Sequence, residues 1–367
     1  MNERIAIVCN GSVPGSGIPN GAQGQRALGL YLGLTRHGFD VDIVSGAGAI
    51  TRSLERWSVG KVRVPPYWRV LPEDACNHAL NADYGTVIVL NWAGIPDFEK
   101  GEQTRLVYDF FSATMVEHSF ITSGEELERR RSVKHRLLEQ ADLFIANGEG
   151  RARYAADYLA EHGFCEGPAS VISVRLGLPW MGREDHAPSE RLQVFLGGFD
   201  QAWVASMNAR DVEQVARKAN VNIHTVGFGQ HLHFRTSRLR PRSDDVVNHT
   251  LCSFEEYCAI NATCDLTIDL FEDNAERQVS YSTRSATSLA CGCPVLTMGF
   301  TEIGGLIKES GAGWTLDAFS IEAAADRLAA LAADREAVMA ARRRSRDFWQ
   351  AYSSPAEQVA TLVEALS

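Results

Sequence analysis

No apolar run in this sequence approaches the roughly 20 residues that a membrane-spanning helix needs, which argues against an integral α-helical membrane protein. No Cys-x-x-Cys pair occurs among its eight cysteines, Cys9, Cys76, Cys165, Cys252, Cys258, Cys264, Cys291 and Cys293. Their spacing suits neither a zinc ribbon nor a disulfide framework, so small buried thiols in a reducing compartment are expected. Basic residues are outnumbered, with Lys and Arg at 36 against Asp and Glu at 46, a formal charge of −10. That balance excludes wrapping of nucleic acid by general electrostatics and leaves room only for a local basic patch. His231-Leu232-His233 stands without a partnering acid or cysteine, so no metal site is expected. Internal repeats and low-complexity tracts are also missing. Met1-Asn2-Glu3-Arg4 runs straight into the strand-like Ile5–Cys9, so no secretory leader is expected and a cytoplasmic location is.

What is present fits a two-domain globular protein: 367 residues, 45% hydrophobic and 22% charged. Strands are predicted at Ile5–Cys9, Val41–Ser45, Thr86–Leu90, Leu106–Tyr108, Leu143–Ala146 and Val171–Val174. A helix is predicted over Gln25–His37, stopped by Gly38. After Leu176–Trp180 and the polar stretch Gly182–Arg191, read as a linker, the alternation restarts at Leu192–Gly198. A helix at Asp211–Ala219 and strands at Asn222–Val226, Leu266–Leu270 and Pro294–Thr297 follow, then helices at Ile321–Ala333, Glu336–Trp349 and Pro355–Leu366. This pattern predicts an α/β protein of two Rossmann-like, doubly wound parallel-sheet domains facing a cleft. The expected divisions are 1–180, 181–350 and a C-terminal helix at 351–367 that packs back on the N-terminal domain.

Open α/β sheets bind ligands at the carboxyl ends of their strands, so the chemistry-bearing residues there are the candidates. The loop after the first strand, Asn10–Gly24, carries five glycines and two prolines, and Gly21 and Gly24 at its end permit close backbone approach to a ligand. It is neither the tight Gly-x-Gly-x-x-Gly fingerprint nor a Walker A loop. Gly197-Gly198 offers a similar turn after the first strand of the second half. Ser280, Ser282, Thr283 and Thr287 supply hydroxyls around a helix start, and Arg284 adds a planar fork suited to diphosphate oxygens. Asp269, at a strand end, and Glu302 are candidates for sugar or ribose hydroxyls. Asp109, His118 and Glu276 are the candidate catalytic groups.

In order along the chain, these stretches resemble glycosyltransferases of the GT-B fold, of the family-4 type. Arg36-His37-Gly38-Phe39-Asp40-Val41 resembles the family's entry to its second strand, and Ala141–Asn147 its late N-terminal strand. Val171–Pro179 resembles its hinge, and Ala290-Cys291-Gly292-Cys293-Pro294-Val295 closely resembles the segment that ends its donor site. The family's glutamate pair would fall at Val279 and Thr287, and Gly198-Phe199-Asp200 stands where a phosphate-binding arginine is expected. The chain therefore resembles a divergent branch in which Thr283 and Arg284 grip the phosphates.

The resemblance implies transfer of a sugar from a nucleotide-diphosphate donor (a UDP-, GDP- or dTDP-sugar). The reaction is expected to be retaining, with no cofactor and no metal. The acceptor is open between glycan, lipid, small molecule and modified base. A nucleotide-sugar epimerase or phosphorylase on the same scaffold, and a non-catalytic nucleotide-sugar-binding protein, are the alternatives.

Overall fold

The computed structural model describes residues 4–48, 50–51, 62–72, 76–91, 95, 97–165, 170–197, 203–204, 207–227 and 243–367. The chain divides into two units, one of Met1–Leu178, Val279–Tyr281 and Ser353–Ser367, the other of Pro179–Gln278 and Ser282–Tyr352.

The first unit holds strands β1 (Arg4–Val8), β2 (Asp40–Gly46), β3 (Trp68–Leu71), β4 (Thr86–Leu90), β5 (Arg105–Phe110), β6 (Leu143–Ala146) and β7 (Val171–Ser173). They form one all-parallel sheet in the order β3-β2-β1-β4-β5-β6-β7. The central strands are continuous apolar runs, as a sheet covered on both faces requires. Its helices are α1 (Ala22–Arg36), α2 (Cys76–Asp83), α3 (Thr114–Ser119), α4 (Gly124–Leu138) and α5 (Glu149–Glu161).

Helix α1 starts at Ala22, after an N-cap at Gly21 and earlier than the apolar periodicity suggests, and carries bare backbone on several sides. A Cβ on Gly24 would lie 2.3 Å from Ser12 O, one on Gly29 2.5 Å from Gly177 O, and one on Gly33 2.4 Å from Pro355 O. Three segments therefore approach this helix more closely than any side chain allows. From the same helix Arg26 reaches the sheet. Its Nε donates to Asp109 Oδ2 at 2.8 Å, Nη2 to Asp109 Oδ1 at 3.3 Å and Nη1 to the Val174 carbonyl at 2.5 Å.

The second unit repeats the plan with β8 (Gln193–Leu196), β9 (Asn222–Val226), β10 (Val246–His249), β11 (Leu266–Asp269), β12 (Val295–Met298) and β13 (Gly313–Leu316). The order is β10-β9-β8-β11-β12-β13, again all parallel. Helices α6 (Ala209–Ala219), α7 (Phe254–Thr263), α8 (Ala275–Gln278), α9 (Thr283–Ala290), α10 (Glu302–Ser310), α11 (Ile321–Ala333) and α12 (Arg335–Tyr352) complete it. Reciprocal capping boxes, Asn208 with Asp211 and Ser253 with Glu256, start α6 and α7. The buried Asp265 carboxylate gathers His186 Nε2 at 3.0 Å, the Gln193 N–H at 2.8 Å and Arg335 Nη2 at 2.8 Å.

Two last helices, α13 (Pro355–Gln358) and α14 (Ala360–Leu366), break at Val359 and belong to the first unit. Val359, Leu362 and Leu366 join Leu30, Leu34 and Ile5 in its core, and Arg105 donates to the Leu366 carbonyl at 2.7 Å. Strands β3, β10 and β13 were not anticipated. All three are sheet edges, and β10 (Val-Val-Asn-His) and β13 (Gly-Trp-Thr-Leu) are only partly apolar. All eight cysteines are free thiols, six of them buried. Among the described residues no helix is long and apolar enough to cross a membrane.

Lys134 of α4 is an exception to the rule that buried charges are paired. It is 1% exposed, and its ammonium nitrogen lies 3.8 Å from the Tyr158 ring centroid and 4.7 Å from that of Phe110. It makes no hydrogen bond to the described residues. Burial, helped by the Arg151 charge, pulls its amine down to about 7. The unfolded chain therefore binds more protons at this site between about pH 7 and 10, so its contribution to stability rises with pH across that window. Lys134→Met should raise the melting temperature at pH 7 by several degrees and flatten its rise toward pH 10. Melts across that range check this, and a variant that melts lower at pH 7 would overturn it.

Candidate functional site

The candidate site of the second unit is built on the carboxyl end of β11. Leu-Thr-Ile-Asp places Asp269 as the last strand residue, 1% exposed, in the loop region where a parallel sheet presents polar groups. Its Oδ2 accepts from Ser282 Oγ at 2.5 Å and from Ser285 Oγ at 2.7 Å. Its Oδ1 faces Arg284 Nε at 3.4 Å. Its carbonyl accepts from Thr297 Oγ1 of the neighbouring β12 at 3.0 Å. Burial works to raise the carboxyl, but the Arg284 charge, the two serine hydroxyls and the Arg277 charge together hold it below the usual carboxylate range.

Ser282 also caps α9, accepting from the Ser285 N–H at 3.4 Å, and Ala286 N–H bonds the Ser282 carbonyl. The N–H groups of Thr283 and Arg284, which no helix carbonyl can reach, make no hydrogen bond to the described residues. Arg284 is 20% exposed; with its Nε turned to Asp269, its two Nη groups make no hydrogen bond to the described residues. One residue thus meets a buried carboxylate with one nitrogen and leaves a fork uncommitted beside a helix start.

The rest of the motif is packing. Ser285, Ala286, Ser288 and Ala290 are buried, and Asn261 Nδ2 ties α7 to Ser288 Oγ at 2.9 Å. Gly292 follows the helix in the left-handed region at φ +74°, and a Cβ there would lie 2.6 Å from the Trp180 ring. At the end of neighbouring β8 a Cβ on Gly197 would lie 2.5 Å from Tyr257 Oη.

The other candidates fall differently. Thr283 opens α9, and the Thr287 hydroxyl is turned back onto the Thr283 carbonyl at 2.8 Å. Glu276 is buried and ion-paired with Arg277, whose guanidinium lies 5.2 Å from the Phe271 ring centroid. Glu302 opens α10, capped by Thr301, whose Oγ1 accepts from Gly304 N. Ser280 is buried and falls in the first unit. Gly198 lies outside the described residues, as do His231 and His233.

In the first unit Gly21 is exposed at the start of α1, and Gly24 is held by the backbone of Ser12. Asp109 stands near the end of β5 with both oxygens bonded to Arg26. Burial pushes its carboxyl up against the lowering effect of Arg26 and, less strongly, Arg151. His118, in the last turn of α3, is pulled down to about 4, first by burial and then by Arg130 and Lys134. It is a neutral imidazole at physiological pH, able to accept but not to act as a cation.

Ser285, Arg277 and Arg26 escaped the sequence reading. Ser285 stands three residues after Ser282 on the same helix start, a spacing that signals a shared partner. Arg26, in the mostly small and apolar first half of α1, signals a buried counter-ion. Arg277 had no such signal.

No protein-family profile matches the sequence, and no curated protein matches it. Solved structures do. The chain superposes on the sucrose-phosphate synthase from Thermosynechococcus elongatus with a TM-score of 0.65 at 15% identity, covering 100% of this chain and 99% of that one. An alpha-glucosyltransferase in complex with UDP-glucose and DNA containing an abasic site matches with a TM-score of 0.70 at 12% identity, over 100% and 99%. Anabaena HepE in complex with UDP-glucose matches at 0.65 and 13%, over 100% and 99%. The chain has the two-domain α/β fold of these GT-B glycosyltransferases.

Asp269 gives the site a pH signature. Its folded carboxyl titrates below the unfolded value of about 3.9, so the stability it contributes is present above that pH and is lost as pH falls through the folded value. Asp269→Asn should melt well below the wild type between pH 6 and 8, with the gap closing at acid pH. Thermal melts of both proteins from pH 3 to 8 measure it, and a pH-independent gap would show that the charge is not what matters.

Proposed function

We propose that this protein is a glycosyltransferase that takes a sugar from a nucleotide-diphosphate donor held by its second unit and passes it to an acceptor held by its first. The observation that carries the reading is Arg284. Its Nε is ion-paired with Asp269 at 3.4 Å and its two Nη groups are open beside the uncommitted N–H groups of Thr283 and Arg284. Those groups match the oxygens of a diphosphate, and the superpositions on UDP-glucose-bound glycosyltransferases support the same ligand class.

When the glycosidic bond to the diphosphate breaks, negative charge grows on the departing oxygen. A preorganised guanidinium and helix-start N–H groups stabilise that charge without reorganising, and positioning supplies much of the remainder. In this reading protein groups do the neutralising, so the transfer is metal-independent. We read the outcome as retaining from the motif resemblance; the anomeric configuration of the product, seen by proton NMR, decides it. His118 is neutral and Asp109 is committed to Arg26, so neither supplies a strong acid at physiological pH.

Arg284→Ala should weaken UDP binding tenfold or more, a loss of about 2–5 kcal/mol if the partner charge stays buried, while uridine binding is nearly unchanged. Arg284→Lys should recover only part of the loss, because a point charge cannot reproduce the fork. Calorimetric titration of the three proteins with UDP and uridine tests this. Equal UDP affinities would reduce Arg284 to a flank salt bridge and remove the main support for the donor site.

A further inference from the structure

Tyr257, near the start of α7, carries a hydroxyl that the described part of the protein does not use. The capping box of Ser253 and Glu256 fixes this turn, and the Tyr257 N–H closes it on the Ser253 carbonyl at 2.9 Å. The largely buried ring packs edge-on to Phe195 of β8, with centroids 5.0 Å apart, in a small cluster with Val226, Cys264 and Cys293. The hydroxyl makes no hydrogen bond to the described residues. A tyrosine buried to this extent usually finds a partner for its O–H, because an unmade bond leaves the loss of water uncompensated.

Gly197 sets where that hydroxyl lies. A Cβ on this glycine would fall 2.5 Å from Tyr257 Oη and 2.4 Å from Phe195 Cε1. The bare backbone after β8 therefore makes room for the protein's own phenol. Strand β8 pairs with β11, Val194 opposite Leu266 and Phe195 opposite Thr267. Two residues further on, the same register sets Gly197 opposite Asp269, at the interstrand spacing of about 4.8 Å. The phenol thus stands at the strand end next to the one that carries the Asp269–Arg284 pair. The electrostatics agree. Burial pushes the phenol up from its ordinary value, Arg284 is the charge that bears on it most, and Asp269 bears on it as well. Tyr257 accordingly stays protonated at physiological pH and keeps an O–H to donate.

We propose that the Tyr257 hydroxyl is a donor-binding group, giving a hydrogen bond to an oxygen of the diphosphate that Arg284 holds. The inference rests on the donor reading of the second unit and adds a neutral donor to its guanidinium and helix-start N–H groups. An O–H aimed at an anion is the stronger kind of hydrogen bond, and this one costs the protein no bond of its own among the described residues.

Calorimetric titration of the wild type, Tyr257→Phe and Arg284→Ala with UDP, UDP-glucose and uridine tests this. Tyr257→Phe keeps the ring against Phe195 and removes only the oxygen, so its melting temperature should match that of the wild type. UDP and UDP-glucose should both bind it about tenfold more weakly, and uridine as before. The proposal falls if UDP binds the variant like the wild type, or if the melting temperature drops with the affinity, since the hydroxyl then serves the fold. It falls equally if uridine loses as much as UDP, or if UDP-glucose alone is weakened, since the hydroxyl then serves the nucleoside or the sugar. UDP binding that Arg284→Ala weakens and Tyr257→Phe does not removes this inference and leaves the donor reading. A wild type that binds no UDP removes both.

Discussion

One buried carboxylate organises the second unit's site. Asp269 lies out of water at the end of β11, where an unpaired charge would be strongly disfavoured. It stays charged because two hydroxyls and a guanidinium come to it, and in coming they set the course of the chain from Ser282 to Ser285. The start of α9 and the direction of Arg284 are set toward this one group, while the Thr297 hydroxyl holds the Asp269 backbone carbonyl. Removing the charge would not delete one bond among many. It would release the loop.

The first unit solves a similar problem the opposite way. Asp109 also sits near a strand end, but Arg26 closes on both its oxygens and spends its last nitrogen on the Val174 carbonyl. Each of that guanidinium's three nitrogens has a partner, and the pair fastens α1 to the sheet. The two arginines differ in what their acids leave free. Both touch a buried acid, and only Arg284 leaves nitrogens uncommitted.

Much of the fold was legible because it is written in local pattern. Thr86–Leu90, Leu143–Ala146, Asn222–Val226 and Ile321–Ala333 have the bounds their apolar runs suggested, since buried central strands and amphipathic helices need unbroken stretches. Three of the four edge strands, β3, β10 and β13, were not legible, because they are partly solvated and their apolar runs are broken, whereas the edge strand β7 was anticipated. The site was legible in part. Arg284, Ser282 and Asp269 could be picked out as polar residues at strand and helix ends, and the structure joins them. The sequence reading cast Asp269 as a partner for sugar hydroxyls, whereas here the carboxylate binds Ser282, Ser285 and Arg284. That role, and the pairing of Asp109 with Arg26, depend on partners 13 to 83 residues away, which no local pattern carries.

The bare backbone of Gly33 against Pro355 has a consequence in time. The core of the first unit contains Val359, Leu362 and Leu366, so the part of the chain made first cannot finish its core until residues past 353 have emerged. The second unit is contiguous apart from Val279–Tyr281 and needs nothing beyond Tyr352. On the ribosome, where earlier domains ordinarily fold first, this protein reverses the order: the later unit is complete while the earlier one still waits for its closing segment.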